Sequence, residues 1–162
     1  MKRRAVLAVA LLALAGCASD HGSRHDGHDG PSYVENCKQT SEDEIAGLFD
    51  RWNASLQTGD PAKVAANYAE DAILLPTVSN QPRLTTAERE DYFQHFLVDQ
   101  PSGKIDMRRI YVGCNTAVDA GLYTFTFART GAVVPARFTY TYRWNGSEWL
   151  ITSHHSSAMP EK

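Results

Sequence analysis

Near the C-terminus, the stretch WLITSHHSSAMP from Trp149 to Pro160 sets two adjacent histidines before two serines. An imidazole changes charge near neutral pH, so such a residue can move a proton, hold an anion or bind a metal. Neighbours on a strand point to opposite faces, however, so His154 and His155 cannot share one ligand if this stretch is extended. Ser156 and Ser157 carry no nucleophile-elbow motif and no recognisable triad partner. Arg137 could supply a cation for a carboxylate or phosphate. Asp119 could act as a general base if it were buried beside a histidine. Trp52, Tyr68 and Tyr123 could line an interior pocket, though aromatics at such spacing also serve as plain core. His21, His25 and His28, with Asp26 and Asp29, offer weak metal-ligating chemistry on a segment with no preset geometry.

The elements that would position these residues are legible in turn. Ser41 followed by Glu44 reads as a capping box before Ile45, Leu48, Phe49, Trp52 and Leu56, one face of a helix. Gly59 can end that helix in the left-handed conformation. Asp60-Pro61 then opens a short helix expected to carry Val64, Ala65 and Tyr68. DAILLP reads as a short buried strand. Thr85 and Glu88 form a second capping box ahead of Tyr92, Phe93, Phe96 and Leu97. The remainder reads as four strands separated by Gly or Asn turns, hence antiparallel hairpins. Asn145-Gly146 favours a two-residue type I′ turn, which pairs Trp144 with Ser147. In that register Arg137 faces His154 on a polar face, whereas Tyr140 faces Ile151 and Ala136 faces His155 on a greasy one. Arg137 and His154 become the expected ligand contacts, and His155 a packed core residue. Which face lines a pocket is left open by the register.

Lys2, Arg3 and Arg4 precede the apolar run AVLAVALLALAG, which is shaped like a signal peptide. LAGC at Leu14 to Cys17 resembles a bacterial lipobox, with Cys17 as the lipidated residue. That organisation implies a leader over 1–16, a His/Gly/Asp-rich tether over 17–36 and a folded domain over 37–162. Export follows, with a lipid anchor in the outer membrane facing the periplasm. Without the leader, 13 Lys and Arg stand against 19 Asp and Glu, a net charge of −6 that argues against nucleic acid as a partner. The two remaining cysteines, Cys37 and Cys114, are an even number in an oxidising compartment and are expected to pair.

Helices first and a long antiparallel sheet last is an α+β pattern. The segments LFDRWNASLQTGDPAKVAANYAEDAILLP, DYFQHFL, RIYVGCNTAVDAGLYTF and YRWNGSEWLITSHHSSAMP resemble the association-domain family of calcium/calmodulin-dependent protein kinase II, in particular its bacterial stand-alone members of the SgcJ/EcaC type. The resemblance spans Ser41 to Pro160. It implies a nuclear transport factor 2-like (cystatin-like) cone, with N-terminal helices on a curved antiparallel sheet, and self-association as a homodimer or larger ring. It does not bring kinase activity or calmodulin binding, because no Gly-rich loop, HRD or DFG motif and no basic amphipathic helix is present. The kinase hub's last strand reads HFHRS where this chain has SHHSS, which sets Ser156 at one pocket arginine and Tyr140 near another. Two functions remain open. One is a lipid-anchored binding or oligomerisation module holding a small anionic organic ligand through Arg137, His154, Trp52 and Tyr123, with no cofactor. The other is a small isomerase, cyclase or oxidoreductase using a pocket histidine or Asp119 as acid or base.

Overall fold

The computed structural model describes residues 36–160, so the leader, Cys17 and the tether histidines His21, His25 and His28 lie outside the described residues. The chain runs α1 (Glu42–Leu56), α2 (Pro61–Ala65), β1 (Tyr68–Leu75), α3 (Thr86–Phe96), a 3₁₀ turn (Leu97–Asp99), then β2 (Pro101–Val112), β3 (Thr116–Phe127), β4 (Val133–Trp144) and β5 (Trp149–Ala158). The strands form one sheet in the order β1-β5-β4-β3-β2. Strands β2 to β5 are antiparallel, as expected, but β1 runs parallel to β5 and makes the sheet mixed.

The local signals explain the helices. The Ser41 hydroxyl accepts from the Glu44 amide and starts α1. Glu44 does not return to Ser41: its carboxylate binds the Thr40 hydroxyl, the Lys38 ammonium and the Trp149 indole N–H instead. Gly59 has φ +67° and turns the chain after α1, and the Asp60 side chain caps α2 with Pro61 at its first turn. Tyr68 does not extend α2. That helix stops at Ala65, and Tyr68 begins β1. Thr85 and Glu88 close a complete capping box on α3.

The inner sheet face wraps α1. Phe49 meets Tyr123, Phe138 and Tyr140, and Trp52 meets Phe125, Tyr140 and His154. Bending the sheet around a helix requires breaks in its strands, and each break is supported by a side chain or by the lack of one. Strand β2 shifts register between Ile105 and Met107. There Gly121 on β3 comes so close that an added Cβ would lie 1.9 Å from the Met107 carbonyl oxygen, so only glycine fits. In β1 the register shifts between Tyr68 and Ile73. The buried Arg89 guanidinium from α3 donates to the freed carbonyls of Ala69, Glu70 and Ala72. Cys37 and Cys114 are disulfide-bonded, as expected. The bridge closes a loop across 77 positions, worth roughly 4 kcal/mol in the chain-entropy account.

The β4–β5 hairpin corrects the expected register in two steps. The connection is four residues, 145–148, not two. The Asn145 side-chain oxygen accepts from the amides of Ser147 and Glu148, and the Asn145 amide donates to the Glu148 carbonyl. An Asx-type turn has displaced the type I′ turn. Trp144 therefore pairs with Trp149, and Tyr142 with Ile151. This slip alone would leave every side chain on its expected face. The second step does not: Thr152 is an extra residue in β5, so Thr141 pairs with Ser153 and Tyr140 with His154. The Thr152 hydroxyl meets both the carbonyl and the hydroxyl of Thr141, which holds the bulge. One inserted residue inverts everything after it.

Candidate functional site

After the bulge, His154 and Ser156 point inward and are buried, while His155 pairs with Thr139 and is exposed. The expected roles of the two histidines are thus exchanged. Arg137 pairs with Ser157, is exposed on the outer face, and donates to the Ser157 hydroxyl and the Ala158 carbonyl. Arg137 and His154 therefore form no joint site.

What His154 joins is a cavity of about 310 Å³ bordered by the sheet and α3. Its walls are apolar, with Trp52, Leu74, Phe93, Phe96, Phe125 and Ala136 among them. Its polar groups are few: His154, Ser156, Tyr123, Tyr92, Thr77 and Asp99. A mostly apolar hollow with a handful of convergent polar atoms is the usual form of a small-molecule site.

Those polar atoms are wired to one another. The Trp52 indole N–H donates to the Tyr68 hydroxyl at 3.1 Å, and that hydroxyl lies 2.8 Å from His154 Nδ1. Burial holds the Tyr68 phenol well above its ordinary pKa, so it keeps its proton. Burial also pushes the His154 imidazole down to about 3, with a smaller push from His155, so the ring is neutral. Tyr140 stacks on the imidazole with ring centroids 4.1 Å apart. Among the described residues His154 Nε2 has no hydrogen-bond partner. Nearby, the Tyr123 hydroxyl donates to Ser156 Oγ, which also contacts Thr77 Oγ1.

Of the residues expected from sequence, Trp52, Tyr123 and His154 line the cavity, and Tyr68 sits behind His154. Asp119 does not line it. It is fully buried on β3, with an Arg108 nitrogen 3.4 Å from one carboxylate oxygen. Burial pushes its carboxyl up to about 6 even though the Arg108 guanidinium pulls the other way. No histidine stands beside it in that pair, so the acid-base arrangement imagined for Asp119 and a pocket histidine is not assembled. The resemblance set Ser156 at a pocket position, which the cavity lining matches, whereas sequence reasoning missed Thr77 and the phenylalanine walls. Phe93 and Phe96 were visible as an apolar helix face, and Ser156 follows from His154 once the bulge is known. Among the described residues no cluster of His, Cys, Asp and Glu is arranged to hold a metal ion.

Comparison with known proteins agrees with this architecture. Residues 41–160 match the model of the family described as calcium/calmodulin dependent protein kinase II association domain. A crystal structure from Xanthomonas campestris, described as such an association domain, shares 48% identity over 76% of this chain and 91% of its own, with a TM-score of 0.73. An NTF2-like protein of unknown function from Pseudomonas putida superposes with a TM-score of 0.67 at 17% identity, over 77% of this chain and 91% of that one. An NTF2-like protein with a cystatin-like fold from Novosphingobium aromaticivorans gives 0.62 at 14% identity, covering 74% and 82%. These last two carry the fold alone. No curated protein matches the sequence.

Proposed function

We propose, for a chain that belongs to the calcium/calmodulin-dependent protein kinase II association-domain family, that its NTF2-like cone serves as a binding module for a small organic molecule held in the cavity beside His154. One observation carries this reading: an apolar hollow of about 310 Å³ is walled by aromatic and aliphatic side chains and bordered by a few polar ones, His154, Ser156, Tyr123 and Thr77 among them. The ligand class shifts from the anion expected with Arg137. No Lys or Arg is among the cavity's lining residues, and the carboxylate of Asp99 is already paired with Arg129, so a neutral and largely apolar molecule suits it.

Titrating the full chain with small aromatic compounds while following tryptophan fluorescence tests the module, because Trp52 is part of the cavity wall. Ala136→Phe fills the hollow from a buried position and is expected to abolish binding while leaving the circular dichroism of the fold in place. Unchanged binding in that variant would move the site elsewhere.

The same reading places the module outside the cytoplasm, exported and lipidated at Cys17, on an outer membrane facing the periplasm. Its supports are the leader-like N-terminus and the Cys37–Cys114 bridge. It also takes the protein to be a homodimer, supported by apolar side chains exposed on the outer sheet face, Met107 and Tyr111. Mass spectrometry of the membrane-extracted protein tests the first, and sedimentation of the soluble domain the second.

A further inference from the structure

We infer that the cavity is built for an alkylated aromatic compound, whose ring fills the buried floor and whose alkyl chain leaves over Val78 and Val134. The inference rests on the binding-module reading and specifies its ligand. It comes from how the lining changes between floor and mouth. The floor is made of buried rings: Trp52, Phe93, Tyr123 and Phe125 all line the cavity and are almost wholly covered. Trp52 meets Phe93 and Phe125 edge to face, and Tyr123 meets Phe125 in the same way. Aromatic rings prefer edge-on or offset partners, so walls arranged like this suit one more flat ring. At roughly the 30 Å³ of liquid volume that one water occupies, the space suits about ten non-hydrogen atoms, a phenyl ring with a short substituent.

The mouth has a different character. Two of the lining residues are exposed, and both are valines: Val78 at 92%, in the loop between β1 and α3, and Val134 at 38%, near the start of β4. Val134 pairs with Phe125 and so shares the inner face of the sheet with it. Phe96 and Phe127, half-buried, also line the cavity. Tyr123, Ser156 and Thr77 are hydrogen-bonded to one another and Asp99 is paired with Arg129, so these groups leave the apolar walls to choose the ligand. A molecule confined to the floor would leave both valines in water. A chain that continues outward meets aliphatic side chains at the rim, and each methylene it covers there adds to affinity. A polar or charged tail would gain nothing from the same two residues.

The test is calorimetry on the full chain with four probes: phenol, para-ethylphenol, para-butylphenol and para-hexylphenol. The first two fit within the floor, and the last two are longer than it. Affinity is expected to rise about two- to fourfold per methylene through the whole series, the part beyond the floor included. With Val78→Ser and Val134→Ser combined, phenol and para-ethylphenol are expected to bind as they do to the parent, whereas para-hexylphenol loses about five- to tenfold. Val78→Ser alone, a change in an exposed loop, is expected to show part of the same loss. Affinity that peaks at para-ethylphenol and falls for longer chains, a rise that survives intact in the valine variants, or a loss equal for all four probes would each overturn the alkyl-chain assignment while leaving a binding module standing. Failure of all four phenols to bind the folded parent would remove the module reading itself.

Discussion

The interior of the sheet has two ends that solve the same problem in opposite ways. At the cavity end, a chain of neutral polar groups runs from Trp52 through Tyr68 to His154. At the other end, under the first half of α1, the polar groups are charged: Asp119 faces Arg108, whose guanidinium also donates to the Ala46 carbonyl and lies over the Phe49 ring. Tyr142, on the neighbouring strand, keeps a buried hydroxyl without a partner among the described residues. Neutral groups can border an apolar hollow cheaply, whereas an ion pair must be packed tightly to offset its desolvation. The cone therefore keeps its cavity and the Asp119–Arg108 pair apart, and this separation is what removes Asp119 from the candidate chemistry.

Breaking the ion pair should have the largest effect. Arg108→Ala leaves the Asp119 carboxylate buried with no cation, which is expected to cost about 3 to 5 kcal/mol at neutral pH, read as a drop in urea midpoint. The loss should shrink in acid, where Asp119 takes up a proton. An equal loss at pH 4 and pH 7 would show that Arg108 acts through packing on Phe49 and not through charge.

The second prediction sets the ends against each other by pH. Asp119 has its folded pKa raised from an ordinary 3.8 to about 6, so the folded chain holds that proton more tightly than the unfolded one. The stability it contributes is present below pH 3.8 and lost as pH rises through 6, about 2 to 3 kcal/mol in all. His154 has its folded pKa lowered from 6.5 to about 3, so its contribution is present above pH 6.5 and lost as pH falls below it, by about 1.4 kcal/mol per pH unit. Between pH 4 and 6 the two slopes oppose and the parent protein should look nearly flat. Asp119→Asn should uncover stability that rises with pH in this window, and His154→Gln stability that falls. Parallel curves for both variants would refute the opposition.

How much of this was readable in advance differs between the two ends as well. Helix starts at Ser41 and Thr85, the break at Gly59, all five strands and the Cys37–Cys114 pairing are local or compositional signals, and they survive into the structure. Which face each histidine takes is not local. It depends on the extra residue at Thr152, a threonine like its neighbours along the sheet, whose bulge exists because the sheet must bend around α1. Asn145-Gly146 carried a strong hairpin signal, but the Asn145 side chain could satisfy a longer turn equally well. The parallel placement of β1, and with it Thr77 in the cavity lining, comes from long-range packing of a strand whose own sequence states only that it is buried.

The smallest effects give the sharpest contrast, because the same change can be made at both ends. Tyr68→Phe at the cavity end removes a hydroxyl that accepts from Trp52 and donates to His154, leaving both partners buried and unpaired. A loss of about 1 to 3 kcal/mol is expected. Tyr142→Phe at the charged end removes a hydroxyl that has no partner among the described residues, so nothing there is orphaned and one desolvated polar group disappears. Stability within about 1 kcal/mol of the parent, on either side, is expected. Chemical denaturation of the two variants side by side measures the difference directly. If Tyr142→Phe costs as much as Tyr68→Phe, the charged end is hydrogen-bonded as fully as the cavity end, and the contrast between a wired end and an ionic end fails.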